Sequence, residues 1–165
     1  MKRNLHLLIW PALGIVILDQ ISKYIVLKSI ELHGSVPVIS GFFNLVHTRN
    51  RGMAFGILNR PGNDLGFYIL VTATLVAVIL VLFWFSRLKQ KERILAPGLS
   101  LILGGAIGNL IDRIRLREVI DFLDFDLVLI HWPAFNVADS AITIGTFWVV
   151  LSLLFLRPQQ SEEGP

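Results

Sequence analysis

No cysteine occurs in the 165 residues, so disulfides, a thiol nucleophile and thiolate metal sites are all excluded. Charge is scarce as well: 16% of residues are charged against 54% hydrophobic, with a mean hydropathy of +0.67. A soluble domain of this length needs a more polar surface, so the composition reads as an integral membrane protein. H-E-x-x-H and G-x-S-x-G are both missing, which removes the common zinc and serine hydrolase signatures. The histidines, His6, His33, His47 and His131, show no metal-ligand spacing, and interface or solvated roles are expected for His33, His47 and His131. Any chemistry is therefore left to carboxylates, hydroxyls and amides. The net charge of +3 and pI near 9.6 come from basic residues beside apolar runs, without the aromatic-interleaved stripe of a nucleic-acid binder. Membrane lipids, and no nucleic acid, are the expected partners.

Four apolar runs are long enough to cross a hydrocarbon core, which takes about 20 helical residues. They cover about 5–27, 65–85, 94–111 and 139–156. Outer segments 28–64 and 112–138 lie between them, and a polar tail, 157–165, follows a single membrane domain, 1–156. The link Arg87 to Arg93 holds four basic residues and one acid, and Lys2 and Arg3 precede the first run. With four spans both termini share a side with that link, and the basic bias makes the side cytoplasmic. Seven Lys/Arg lie on that side and eight on the other, but the eight are spread through long segments, where the rule is weaker. No A-x-A site follows the first run, so it reads as an uncleaved span.

The first outer segment, "VPVISGFFNLVHTRNRGMAFGILNRPG", mixes β-branched and aromatic residues with turn signals at Ser40-Gly41, Asn50-Arg51-Gly52 and Pro61-Gly62. Short strands and an interfacial helix are expected there. The second contains "IDFLDFDLVLIH", with apolar Leu123, Phe125, Leu127 and Leu129 at alternate positions. Asp121 shares their parity and is expected to be desolvated, whereas Asp124 and Asp126 are expected to face water.

Helical spacing collects further polar groups. Asp139 shares a face with Asn136, Thr143 and Thr146, and Asn109 with Asp112 and Arg113. Gly104 and Gly108 stand at the small-xxx-small spacing that lets helices approach closely. Asp19 and Lys23 form an i,i+4 pair beside Ser22, well past the middle of the first span. Blander roles stay open for several. Asp19 with Lys23 reads equally as an interfacial ion pair, Asp112 as solvation at a helix end, and Arg113 as a headgroup anchor. Asp139 and Asp121 are harder to explain so, because an Asp at the centre of a spanning helix costs roughly 2.5 to 3.5 kcal/mol on insertion scales.

Two desolvated aspartates brought together cannot both ionise cheaply, so the pair holds one proton. Its ionised member can take a proton from a water attacking an amide carbonyl, while the protonated member donates to the carbonyl oxygen. A small proton-coupled carrier also places charged groups in the membrane, but near the midplane between related halves. No internal repeat is visible here, and the polar groups lie toward one face. A non-enzymatic lipid-binding or assembly protein is the third reading.

Five stretches, "DQISKYIV", "TRNRGMAFG", "GGAIGNLIDR", "VIDF" and "FNVADSAI", resemble in order the successive motifs of the lipoprotein signal peptidases, signal peptidase II, from residue 19 to about 145. The resemblance implies an all-α membrane fold of four transmembrane helices with a small extracytoplasmic β-cradle and interfacial helix. It implies an aspartic endopeptidase of the bacterial cytoplasmic membrane that removes signal peptides from lipid-modified prolipoproteins, cutting before the diacylglyceryl cysteine. Asp121 and Asp139 would be the catalytic dyad. Asn109, Arg113 and Asn136 would support it and bind substrate, with Asp19, Lys23 and Asn50 around the site. The family needs no metal or organic cofactor and is blocked by globomycin-type cyclic peptides.

Overall fold

The computed structural model of the chain describes residues 5–52, 64–127 and 130–155. In chain order the elements are α1 (His6–Ser29), β1 (Ser35–Ile39), β2 (Phe43–Asn50), α2 (Leu65–Arg87), a 3₁₀ turn (Gln90–Leu95), α3 (Ala96–Leu116), β3 (Val119–Leu127), β4 (Ile130–Phe135) and α4 (Val137–Phe155). Four helices, at His6–Ser29, Leu65–Arg87, Gln90–Leu116 with its 3₁₀ turn, and Val137–Phe155, are long and apolar enough to cross a membrane. Among residues 28–52 the structure is the end of α1, strand and turn. No interfacial helix lies among residues 28–52; residues 53–63, with Pro61-Gly62, and the tail lie outside the described residues.

The helix α3 is the centre of the bundle. Of its most apolar window 61% is buried, against 17% for α2, and it packs on α1, α2 and α4. Small residues make this possible. A methyl group on Gly104 would stand 2.7 Å from the Ala12 carbonyl of α1, and one on Gly98 would stand 2.8 Å from the Gly145 carbonyl of α4. Such backbone-to-backbone approach is how helices associate where lipid offers no hydrophobic drive. Leu8, Ala12, Val81, Leu95, Leu99, Leu103 and Val149 fill the space between the four helices, while Trp10, Ile79, Phe147 and Phe155 point outward.

Pro11 interrupts the hydrogen-bond ladder of α1, because it has no N–H to give Leu7. A carbonyl freed in this way needs a donor in a membrane. The buried hydroxyl of Ser100 supplies it, 2.8 Å from Leu7 O and 2.9 Å from Ala96 O.

The two outer segments combine into one antiparallel sheet of order β1-β2-β3-β4. Gly41, with φ at 72°, makes the turn between β1 and β2. Phe43 stacks on Phe125 at 4.7 Å between ring centroids, and Phe135 stacks on the other side of Phe125 at 5.8 Å. Beneath the sheet Val26, Ile120 and Phe122 form a second core. His47 is buried there rather than solvated, its Nδ1 2.9 Å from the Ile30 carbonyl. Since α1 and α3 end and α4 begins at the sheet, and Asp64 at the start of α2 pairs with Arg117 between α3 and β3, the sheet covers one end of the bundle.

The largest boundary difference from expectation is at the end of the third span. The third span runs on to Leu116 rather than closing at 111, so Asp112 and Arg113 lie inside the helix instead of at its end. Asp112 is held there by Lys23 and Gln20 of α1 and by the Ile120 N–H that it accepts.

Candidate active site

At the junction of β4 and α4, Asn136 caps the helix. Its Oδ1 accepts the N–H of Asp139 at 2.9 Å, and Asp139 Oδ2 accepts the N–H of Asn136 at 3.3 Å. This is a capping box with an aspartate at the third helical position, and it satisfies two otherwise orphaned donors. The spacing N-x-x-D thus both starts α4 and aims the Asp139 carboxylate.

The other end of the Asn136 side chain reaches the sheet. Its Nδ2 donates to Asp121 Oδ1 at 2.7 Å, with Ile120 O and Asn109 Oδ1 both at 3.3 Å. Asn50, at the end of β2, donates to Asp121 Oδ2 at 3.2 Å, and the Thr48 hydroxyl to the Asp121 carbonyl at 3.2 Å. From α3, Asn109 Nδ2 donates to Asp139 Oδ1 at 2.8 Å. Every carboxylate oxygen of both aspartates therefore accepts a hydrogen bond, and Asn136 touches both groups. Burial, then the charge of Asp139, pushes the Asp121 carboxyl up from 3.8 to about 7, against the hydrogen bonds of Asn50 and Asn136 and the charge of Lys23.

Both aspartates open onto a cavity of about 1040 Å³, lined also by Asn50, Asn109, Arg113 and Asp124. It is large enough to hold a peptide segment. Thr143 lines it too, its hydroxyl bonded to the Asp139 carbonyl, whereas Thr146 is exposed and outside it.

Behind the cavity lies a buried ionic cluster. Lys23 Nζ is 2.8 Å from both Asp19 Oδ2 and Asp112 Oδ2 and donates to Asn109 Oδ1 at 3.0 Å. Exposure is 0% for Asp19, 2% for Lys23 and 3% for Asp112. The remaining carboxylate oxygens are occupied as well: Asp19 Oδ1 accepts the Ala138 N–H of α4 at 2.9 Å, and Asp112 Oδ1 accepts Gln20 Nε2 at 3.0 Å. Asp19 can approach α3 only because residue 108 is glycine; a methyl there would sit 2.6 Å from Asp19 Oδ2. Asp112 is thus a buried brace rather than a solvated helix end. Gln20, which joins it to Asp19, is a further member of this cluster that the i,i+4 spacing of Asp19 and Lys23 does not single out.

The strand-parity expectation needs correction. Val119 and Asp121 face the cavity while Ile120 and Phe122 face the core, but Leu123 also packs on that core and Asp124 lines the cavity. Asp121 therefore faces away from Leu123, and Asp124, expected in water, is 7% exposed and accepts Asn44 Nδ2 at 3.2 Å. The alternation breaks between Asp121 and Leu123, where the pairing with β2 shifts register: Thr48 faces Asp121 and Leu45 faces Leu123, a step of three residues in β2 against two in β3. Asp126 alone of the two is exposed.

Comparison with known proteins is consistent with this geometry. The family described as signal peptidase (SPase) II matches residues 11–155. A lipoprotein signal peptidase of Nitratidesulfovibrio vulgaris (strain DP4) is 48% identical over 150 residues, 91% of this chain and 89% of the relative. One from Syntrophus aciditrophicus (strain SB) is 42% identical over 163 residues, covering 98% and 100%. A solved structure described as a bacterial membrane enzyme superposes with a TM-score of 0.86 at 32% identity, covering 99% of this chain and 97% of that one. Four spans, a sheet at one end and a family match over nearly the whole length place the chain, a multi-pass membrane protease, in the signal peptidase II family.

Proposed function

We propose that the chain cleaves prolipoproteins before their diacylglyceryl-modified cysteine by water attack, using Asp121 and Asp139 as an aspartic dyad. The observation that carries this reading is the bridge made by Asn136, whose side-chain amide donates to Asp121 and whose backbone N–H donates to Asp139. Two carboxylates so placed share a proton. The ionised member takes a proton from the water as its oxygen attacks the scissile carbonyl, and the protonated member donates to the carbonyl oxygen. Collapse of the tetrahedral diol breaks the C–N bond, with the proton passing to the leaving amine. Arg113 and Asn109, at the cavity wall, are suited to hold peptide carbonyls where water is scarce. Asp19 and Lys23 brace Asn109 from behind. No metal or organic cofactor enters this scheme.

The site belongs at the extracytoplasmic face of the bacterial inner membrane, with both termini cytoplasmic. The opposite end of the bundle supports this orientation: Arg87, Lys89, Lys91 and Arg93 are exposed there, and Trp148 Nε1 donates to Ile94 O at 2.7 Å beside them. The tryptophan marks a membrane boundary, and the run of Lys/Arg in a short link marks it as the cytoplasmic one. At the sheet end, a diacylglyceryl chain can stay in the outer leaflet while its peptide enters the cavity. A globomycin-type cyclic peptide would compete for the same cavity.

The test is cleavage of a diacylated prolipoprotein by the purified protein. Release of the signal peptide, blocked by globomycin, is expected from the wild type; an uncleaved substrate under conditions where a known relative turns over would overturn the reading. Single cysteines introduced at Lys89 and Ser35, in a chain otherwise free of cysteine, report orientation by labelling from either side.

A further inference from the structure

The turn joining α3 to β3 collects the ends of two other elements. Arg117, in the left-handed region with φ at 61°, pairs with Asp64 at the start of α2 at 2.9 Å. Its neighbour Glu118 is directed to the end of β2. The Glu118 carboxylate accepts Arg51 Nε at 2.6 Å and lies 3.7 Å from Arg49 Nη1. Those arginines flank Asn50, whose backbone pairs with Val119, the residue after Glu118. One carboxylate therefore grips the chain on both sides of the asparagine that donates to Asp121.

Asn50 itself has little freedom left. Its Oδ1 accepts the Gly52 N–H at 2.9 Å, so the amide plane is fixed by a local turn and Nδ2 is aimed by where residues 49 to 52 sit. Glu118 determines that placement. It is only 8% exposed, whereas the side chain of Arg51 is 55% exposed. An exposed arginine pair contributes little to stability by itself, but burying the acid beneath it confines the strand end to one position.

We infer that Glu118 is a positioning residue for the reaction, acting through Asn50 on Asp121. This rests on the reading of Asp121 as a member of the dyad. Without Glu118 the end of β2 samples other positions, Asn50 donates to Asp121 for only part of the time, and the carboxylate pair loses one of its fixed donors. Substrate contacts made by Arg113 and the α4 wall are untouched.

The experiment is a double-mutant cycle on prolipoprotein cleavage with Glu118→Gln, Asn50→Ala and their combination, reading kcat and KM separately. Glu118→Gln is expected to lower kcat about tenfold, within the range of couplings in one hydrogen-bond network, with KM changed less than about twofold. The double variant should be no slower than Asn50→Ala alone. Exchange of the pair, Arg51→Glu with Glu118→Arg, should recover most of the rate. Multiplicative losses in the double variant, or a Glu118→Gln effect confined to thermal stability, would overturn the inference. Titration of folded sites with a globomycin-type inhibitor keeps loss of protein from counting as loss of rate. Asp121→Asn run alongside separates the two readings: near-normal turnover there removes the dyad assignment itself, whereas an inactive Asp121→Asn with an additive cycle removes only the role of Glu118.

Discussion

Asn136 and Asp139 cap α4 reciprocally, each accepting the backbone N–H of the other, and the free end of the Asn136 amide binds Asp121. Helix initiation and the approach of the two carboxylates are therefore one structural event. Two substitutions separate these roles. Asn136→Ser keeps a cap but loses the bond to Asp121, so cleavage should fall about 10²-fold with little change in unfolding temperature. Asn136→Ala should lose a similar factor in rate and also about 1 kcal/mol of stability with the cap. Thermal unfolding in detergent beside the cleavage assay distinguishes them; equal stability losses would show that the cap was not the difference.

Asp121→Asn and Asp139→Asn should each reduce cleavage by about 10²–10⁴-fold or more, the usual contribution of a positioned acid or base. Both variants should remain inserted and folded, because asparagine matches the shape of the group it replaces. A rate within a few-fold of wild type for either residue would take that residue out of the dyad.

The pH dependence follows from Asp121. Its carboxyl is raised from 3.8 to about 7, first by burial and then by Asp139, so between these values the folded chain holds a proton that the unfolded chain has released. Stability must then fall as pH rises through that window. The cleavage rate should fall above pH about 7, as the pair loses its shared proton. Unfolding temperature measured from pH about 4 to 7 should decline more steeply for wild type than for Asp121→Asn. Identical slopes would mean that Asp121 titrates normally.

Much of this arrangement was legible because its parts are local. The apolar runs, the shared face of Asn136 and Asp139, the Asn50-Arg51-Gly52 turn and the i,i+4 pair Asp19–Lys23 rest on local spacing, where periodicity and turn chemistry operate. Strand parity predicts a desolvated Asp121 for a reason that fails, since a register shift in the pairing with β2 leaves Leu123 on the opposite side. Asp112 reads as a solvated helix end for a related reason. Its partner Lys23 is 89 residues away in another helix, and nothing near Asp112 in the chain announces that α1 will bring a lysine to it. The grip of Glu118 on Arg51 across 67 residues is equally invisible until β2 and β3 pair.

The ionic cluster yields the last prediction. Lys23 is the cation between Asp19 and Asp112, and all three are nearly inaccessible. Removing one partner of a buried ionic group typically costs about 3–5 kcal/mol, because the remaining charge stays buried and uncompensated. Lys23→Met strands two carboxylates and should lower yield and unfolding temperature sharply. Neutralising the acids as well, in Lys23→Met with Asp19→Asn and Asp112→Asn, should recover a large part of that loss. The contrast matters because Lys23 also holds Asn109, and through it Asp139. If the triple variant regains stability but not cleavage, the lysine is needed to orient Asn109 as well as to balance charge; recovery of both would assign it to charge balance alone. A Lys23→Met variant as stable as wild type would instead show that the two carboxylates do not depend on the lysine, and would overturn the reading of the cluster as an ionic brace.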